Sequence, residues 1–313
     1  MFVKILIIVG ICLISIIVLI FIVLSVLMLR LFKKTFKRTE CKSLLDMDLS
    51  NTHYAKHLDK IRINIKELEA KPCEVVKIKN DGLTLSGRFY NQGSSNTVIM
   101  AHGYHAKAFN NFHASSQAFF NHNYNILMID ERAHNDSEGR YTTVGIKEQY
   151  DIISWIKWVE ETTNTNNIIL YGVSMGASTL GYLSNKLEDT LVRAIVMDCG
   201  FTSFYDEVFY KTKTSALLPF VLFYMRLYAK MVLGIDIRKS TLESLKDAKV
   251  PVYFIHGLND EMVPVEHTIA AFNATTSEKR VHYVEECGHT TAFLIDYDYL
   301  DKDLFSFIGK FLR

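Results

Sequence analysis

The sequence has little that would tie it to charge-driven partners, covalent staples or bound metals. Lysine and arginine total 35 against 34 aspartates and glutamates, a formal net charge of +1. That balance gives no basis for nucleic-acid binding. The five cysteines, Cys12, Cys41, Cys73, Cys199 and Cys287, show no short paired spacing. Neither a disulfide framework nor a zinc site is therefore indicated. Cys287 stands two residues before a histidine but reads as a small residue filling a strand end. No metal, nucleotide or flavin motif occurs, and the expectation is an activity without a cofactor. Repeats are absent, and the one low-complexity tract is apolar.

That tract, Ile5 to Leu29, is 25 residues without a charge. As a helix it would be about 37 Å long, enough to cross a hydrocarbon core of about 30 Å. A cleaved signal peptide would have a shorter apolar region ending in small residues, and no such site follows. An uncleaved single-pass anchor is expected. The basic residues Arg30, Lys33, Lys34, Lys37 and Arg38 come directly after it, with only Lys4 before it. By the positive-inside rule the body then lies in the cytoplasm; an extracytoplasmic body is the alternative. Thr39 to Asn51 reads as a short polar tether. Leu58, Ile61, Ile65 and Leu68 fall on one helical face, which Pro72 ends. That face is expected to pack on the body.

Beyond the tether, Gly172-Val173-Ser174-Met175-Gly176 is the most informative stretch. It joins the apolar run Asn167 to Tyr171 to the helix-compatible run Ala177 to Leu183. Strand, Gly-x-Ser-x-Gly and helix together make a nucleophile elbow, in which both glycines are needed for steric reasons. Three other buried-strand patterns end in chemically loaded turns. They are Val98 to Tyr104 with His102-Gly103, Val252 to Asp260 with His256-Gly257, and Val281 to His289 with Gly288-His289. Serine, then aspartate, then histidine is the α/β-hydrolase chain order, unlike those of chymotrypsin and subtilisin.

From about Cys73 to Arg313 the chain resembles an α/β-hydrolase of the serine-hydrolase type. The resemblance is to bacterial single-domain hydrolases related to serine aminopeptidases and to Bem46-like membrane-anchored hydrolases. It is carried by the four segments above, by Asp130 to Gly139, and by Val263-Pro264. Related sequences often have glycine where this one has Asn135, a residue that tolerates a left-handed backbone.

The expected fold class is α/β: a mostly parallel central sheet with helices on both faces and a helical cap inserted after the sixth strand, preceded by an N-terminal transmembrane helix. The expected division is anchor and basic flank over 1–38, tether and amphipathic helix over 39–72, and hydrolase domain over 73–313. Asn80-Asp81-Gly82 marks a hairpin between the first two strands. Helices are expected over 108–121 and 144–161, among others. The cap is expected over 202–247. Its apolar residues Leu218, Phe220, Phe223 and Met225 are candidates to line an acyl pocket.

The catalytic residues expected are Ser174 as nucleophile, His289 as general base and then acid, and Asp260 as the group that orients the histidine. Asp198 is the rival acid. The backbone N–H groups of Tyr104 and Met175 are the expected oxyanion donors. His102 and His256 are read as structural, and Arg132, His134, Asp136 and Ser137 as braces of the loop after the fourth strand. No role is assigned to Ser178. The substrate expected is a small-molecule carboxylic ester or lipid, with the membrane as the other partner. A peptidase or amidase with the same triad and a non-catalytic binding protein are the alternatives.

Overall fold

The computed structural model describes residues 2–212 and 215–313. One long apolar helix, α1 (Phe2–Phe36), precedes the body. The short α2 (Leu58–Ala70) follows, then a hairpin of β1 (Glu74–Asn80) and β2 (Leu83–Tyr90). Next come β3 (Asn96–Ala101), α3 (Ala108–Phe112), α4 (Ser115–Asn121), β4 (Asn125–Ile129), α5 (Glu148–Thr162) and β5 (Asn167–Val173). The chain continues through α6 (Met175–Leu183), β6 (Val192–Asp198), α7 (Phe204–Thr212), α8 (Leu218–Tyr228) and α9 (Thr241–Leu245). It finishes with β7 (Val252–Gly257), α10 (Glu266–Ala274), β8 (Lys279–Val284), α11 (Ala292–Ile295) and α12 (Tyr297–Ile308).

The eight strands form one sheet in the order β1-β2-β4-β3-β5-β6-β7-β8. β1 and β2 are antiparallel, as is the β2–β4 pair, and the rest are parallel. β4 and β5 are buried along their whole length, as strands covered by helices on both faces must be. Successive side chains feed opposite cores. Val98, Met100, Ile126 and Met128 enter one apolar cluster, while Ile99, Ala101, Leu127 and Ile129 enter the other. α7, α8, the π-helical turn Ala229–Leu233 and α9 lie between β6 and β7, where the cap was expected.

Three local expectations need correction. The 108–121 helix is two helices, interrupted at His113 and Ala114. The 144–161 helix begins only at Glu148, because Val144 adopts a left-handed φ of 49°. Its start is held by the Glu148 carboxylate, which accepts the backbone N–H groups of Thr143 and Gly145.

The third correction concerns Thr39 to Asn51, expected as a short polar tether, which is in part packed on the body. Cys41, Ser43, Leu44 and Leu49 are buried in it. The Asn110 side chain ties it down, accepting the N–H of Leu44 at 3.0 Å and donating to the carbonyl of Lys42 at 2.8 Å. The end of α1 is docked too. Phe32 and Phe36 are buried, Phe36 O accepts the N–H of Thr142, and Arg38 donates to the carbonyls of Asn135 and Ser137. A boundary at residue 38 therefore cuts through packed structure. The apolar face of α2 joins Leu44, Leu49 and Leu294 in a cluster of its own.

Candidate active site

Strand register gathers the chemistry at one end of the sheet. Ala101 pairs with Gly172, Val173 with Asp198, and Gly257 with Val284. The turns after β3, β5, β6, β7 and β8 thus emerge side by side at the carboxyl ends of parallel strands, where open α/β sheets place their ligands. Ser174 sits on the elbow between β5 and α6 with φ 54° and ψ −116°, a strained conformation for a residue with a side chain. A Cβ on Gly172 would lie 2.5 Å from backbone atoms of Gly176, and one on Gly176 would lie 1.9 Å from the carbonyl oxygen of Ala101. Both positions therefore require glycine. The Ser174 N–H is anchored to the carbonyl of Asp198 at 2.8 Å.

The three expected residues meet. Ser174 Oγ is 3.0 Å from His289 Nε2, and His289 Nδ1 is 2.7 Å from Asp260 Oδ2. The other oxygen of Asp260 accepts the N–H groups of Met262 at 2.8 Å and Val263 at 2.9 Å. Burial raises the Asp260 carboxyl, but the His289 hydrogen bond and the other donors outweigh it and hold it below its ordinary value. An ionised Asp260 keeps the proton on Nδ1, which leaves Nε2 free to accept from Ser174. His256 is buried, with its ring nitrogens on Thr268 Oγ1 and the carbonyl of Val263. It braces the acid's turn, as a structural histidine would.

Asp198, the rival acid, accepts the hydroxyl of Tyr171 at 2.9 Å. Burial drives its carboxyl up to about 6 despite that bond and the nearby His289. A carboxyl raised in the folded state above its unfolded value of about 3.9 penalises folding once ionised. The penalty grows from about pH 4 to about pH 6 and is full above that. Asp198→Asn keeps an acceptor for Tyr171 and removes the charge. The variant should be more stable than wild type at pH 8 by on the order of 1–3 kcal/mol, a gap that closes by about pH 4. Thermal unfolding across pH tests this; a variant less stable at pH 8 would mean that the site favours the carboxylate.

Met175 begins α6, and the Tyr104 backbone follows Gly103, whose Cβ position is 3.2 Å from Ser174 Cβ. Both residues line the cavity over the serine. The loop 130–139 is braced as expected. Arg132 forks onto Asp151 at 2.7 and 2.8 Å, His134 Nε2 accepts the N–H of His105, and Asn135 takes φ 43°. His102 bonds the Gly103 carbonyl and accepts the N–H of Glu131. Cys287 is fully buried against Thr291, and burial pushes its thiol up to about 12, consistent with its structural reading. Ser178 does have a structural role. Its hydroxyl bonds both the N–H and the carbonyl of Phe201 at 2.8 Å, clamping the root of the cap to α6.

The cavity measures about 710 Å³ and is mainly apolar. Its walls differ from the expected ones. None of Leu218, Phe220, Phe223 and Met225 lines it; the cap contributes Phe204 and Val208 of α7 instead. Leu218 and Met225 face inward and are buried, while Phe223 is exposed. Another part of the wall comes from Leu44 and Met47 of the expected tether and from Tyr54 just beyond it. Tyr54 Oη is 2.7 Å from Thr290 Oγ1, and His53 Nε2 is 2.9 Å from the carbonyl oxygen of His289. A strap from outside the sheet thus holds the loop that carries His289. No sequence pattern marked it, because its contacts span more than two hundred positions.

The overall fold is matched in solved structures. The esterase Pf2001 of Pyrococcus furiosus superimposes with a TM-score of 0.64 at 21% identity, over 79% of this chain and 93% of that one. The chain has the α/β-hydrolase fold. Residues 90–231 of this chain match the family model described as X-Pro dipeptidyl-peptidase (S15 family). It is 27% identical over 207 residues to the uncharacterized protein YqkD of Bacillus subtilis, covering 63% of this chain and 66% of that one. It is 22% identical over 206 residues to lysophosphatidylserine lipase ABHD12 of Danio rerio, covering 61% of this chain and 50% of that one. The chain thus spans about half to two thirds of the length of these curated relatives.

Proposed function

We propose that this α/β-hydrolase is a membrane-anchored serine hydrolase that cleaves carboxylic esters of apolar acids. The observation that carries the proposal is the Ser174–His289–Asp260 hydrogen-bonded relay on the floor of a mainly apolar cavity. Ser174 Oγ attacks the ester carbonyl as His289 Nε2 takes its proton. The backbone N–H groups of Met175 and Tyr104 bind the oxyanion, and the N-terminus of α6 favours its charge. Collapse breaks the bond to the alkoxy oxygen, which leaves with the proton from His289. Water then attacks the acyl-enzyme by the same route and frees the acid.

α1 is long and apolar enough to cross a membrane, and Thr35 in its last turn lines the cavity. That proximity supports a substrate drawn from the bilayer. The basic residues after the apolar run argue for a cytoplasmic body. A fluorophosphonate probe should label the wild-type chain and fail on Ser174→Ala, and a membrane-impermeant version should label only opened cells. Equal labelling of both chains would overturn the activated serine and favour a non-catalytic protein.

The peptidase reading has one observation of its own. Glu207, mostly buried in the cavity wall, could hold a substrate amine. Its carboxylate is already engaged, by Lys211 Nζ at 2.7 Å and near His267 Nε2 at 3.3 Å, so the ester reading is better supported. Faster cleavage of aminoacyl anilides than of matched p-nitrophenyl esters would reverse that order.

A further inference from the structure

The cap carries an apolar surface that the cavity does not use. Leu217, Phe223, Leu227, Met231 and Val232 are 68%, 62%, 39%, 71% and 47% exposed. Phe223, Leu227 and Met231 recur at helical spacing along α8 and the π turn, so they form one stripe on one side. The opposite side of α8, through Leu222 and Met225, is buried in the body. The stripe is not an isolated patch, because α8 packs along α1. The Tyr228 hydroxyl donates to the carbonyl of Ser25 at 3.1 Å, and the Tyr228 ring lies 5.9 Å from that of Phe32.

Ser25 fixes the depth. It lies inside the charge-free run, five positions before Arg30, the first charge after that run. At about 1.5 Å per residue it sits roughly 7 Å on the hydrocarbon side of that charge. α1 stays apolar and exposed on its other side at this level, with Val26 45% and Leu27 47% exposed. A helix bonded to α1 there cannot stand in bulk water while α1 crosses a bilayer.

We propose that α8 and the following π turn are embedded in the same leaflet as the body-proximal end of α1, with the Phe223–Leu227–Met231 stripe facing acyl chains. The occupant of this surface is the bilayer itself. The neighbouring Lys230, together with Lys33 and Lys34 of α1, stands where lipid phosphates would meet it, while Arg226 is held by Asp236. The inference rests on the reading of α1 as a membrane span, and the test separates the two.

The full-length chain is reconstituted in phosphatidylcholine vesicles whose acyl chains carry bromine, which quenches tryptophan on contact. Phe223→Trp and Met231→Trp add one probe each to the stripe, both at exposed positions where the ring costs little packing. Val18→Trp places a probe in the middle of α1, and Tyr150→Trp places one on exposed α5 of the body. The emission of the parent's two tryptophans is subtracted. A face lying about 5–10 Å into the acyl boundary should lose roughly half or more of the added emission, as Val18→Trp does, while Tyr150→Trp loses almost none. Quenching at Val18 with none at Phe223 or Met231 would overturn the embedded cap and leave the anchor standing. No quenching at any of the four would remove the anchor and the inference together. Stripe probes shielded from both brominated lipid and aqueous iodide would mark a second copy of the chain as the occupant, again overturning the proposal.

Discussion

Ser174→Ala and His289→Ala should each lower kcat on a short water-soluble ester by about 10⁴- to 10⁶-fold, and the double variant should be little worse than either alone. Near-equal single and double losses follow from a relay in which one proton passes through one hydrogen bond, here 3.0 Å from Ser174 Oγ to His289 Nε2. Once either end is gone, the other has nothing to do. Asp260→Asn should cost about 10⁴-fold, because the amide cannot hold the proton on Nδ1 in the tautomer that serine needs. Asp198→Asn should keep most turnover, since its carboxylate is bonded to Tyr171 rather than to the imidazole. Steady-state kinetics of the four variants checks all of this. Additive losses from the two alanine variants would rule out a shared relay, and a dead Asp198→Asn would move the acid to β6.

Gly176→Ala should do more damage to folding than any of these. Its new Cβ would occupy a point 1.9 Å from the carbonyl oxygen of Ala101, and β3 cannot retreat without breaking its parallel pairing with β4 and β5. The neighbours are backbone, so no side chain can swing away. A loss of more than about 4 kcal/mol is expected, enough to leave little folded protein. Gly93→Ala is the control. Gly93 has φ +69° but nothing within 4 Å of its Cβ position, so only backbone strain of about 1 kcal/mol is at stake. Thermal unfolding of the pair decides the matter. A Gly176→Ala chain melting near wild type would mean that the elbow can open where its packing says it cannot.

The sheet was legible in the sequence because buried parallel strands are written as short apolar runs, and Asn167–Val173 or Val252–Gly257 can be read without knowing their neighbours. The elbow was legible for a similar reason: its steric demands fall on five consecutive residues. What stayed hidden depends on distant partners. α8 is apolar enough to face either substrate or another helix, and nothing within it tells which; α1 took that face, leaving α7 to wall the cavity. Residues 39–51 look polar because only a few of their side chains are buried, and their backbone is tied down by Asn110, more than sixty positions away. The late start of α5 turns on the left-handed backbone of Val144, which periodicity does not report.

The strap across the cavity has a consequence for how such a chain can change over generations. Leu44, Met47 and Tyr54 form one wall of the space over Ser174, and His53 and Tyr54 fasten the loop of His289. The leash and the pocket are therefore one heritable unit. A recombination event that exchanged residues 1–57 would also exchange part of the cavity's lining.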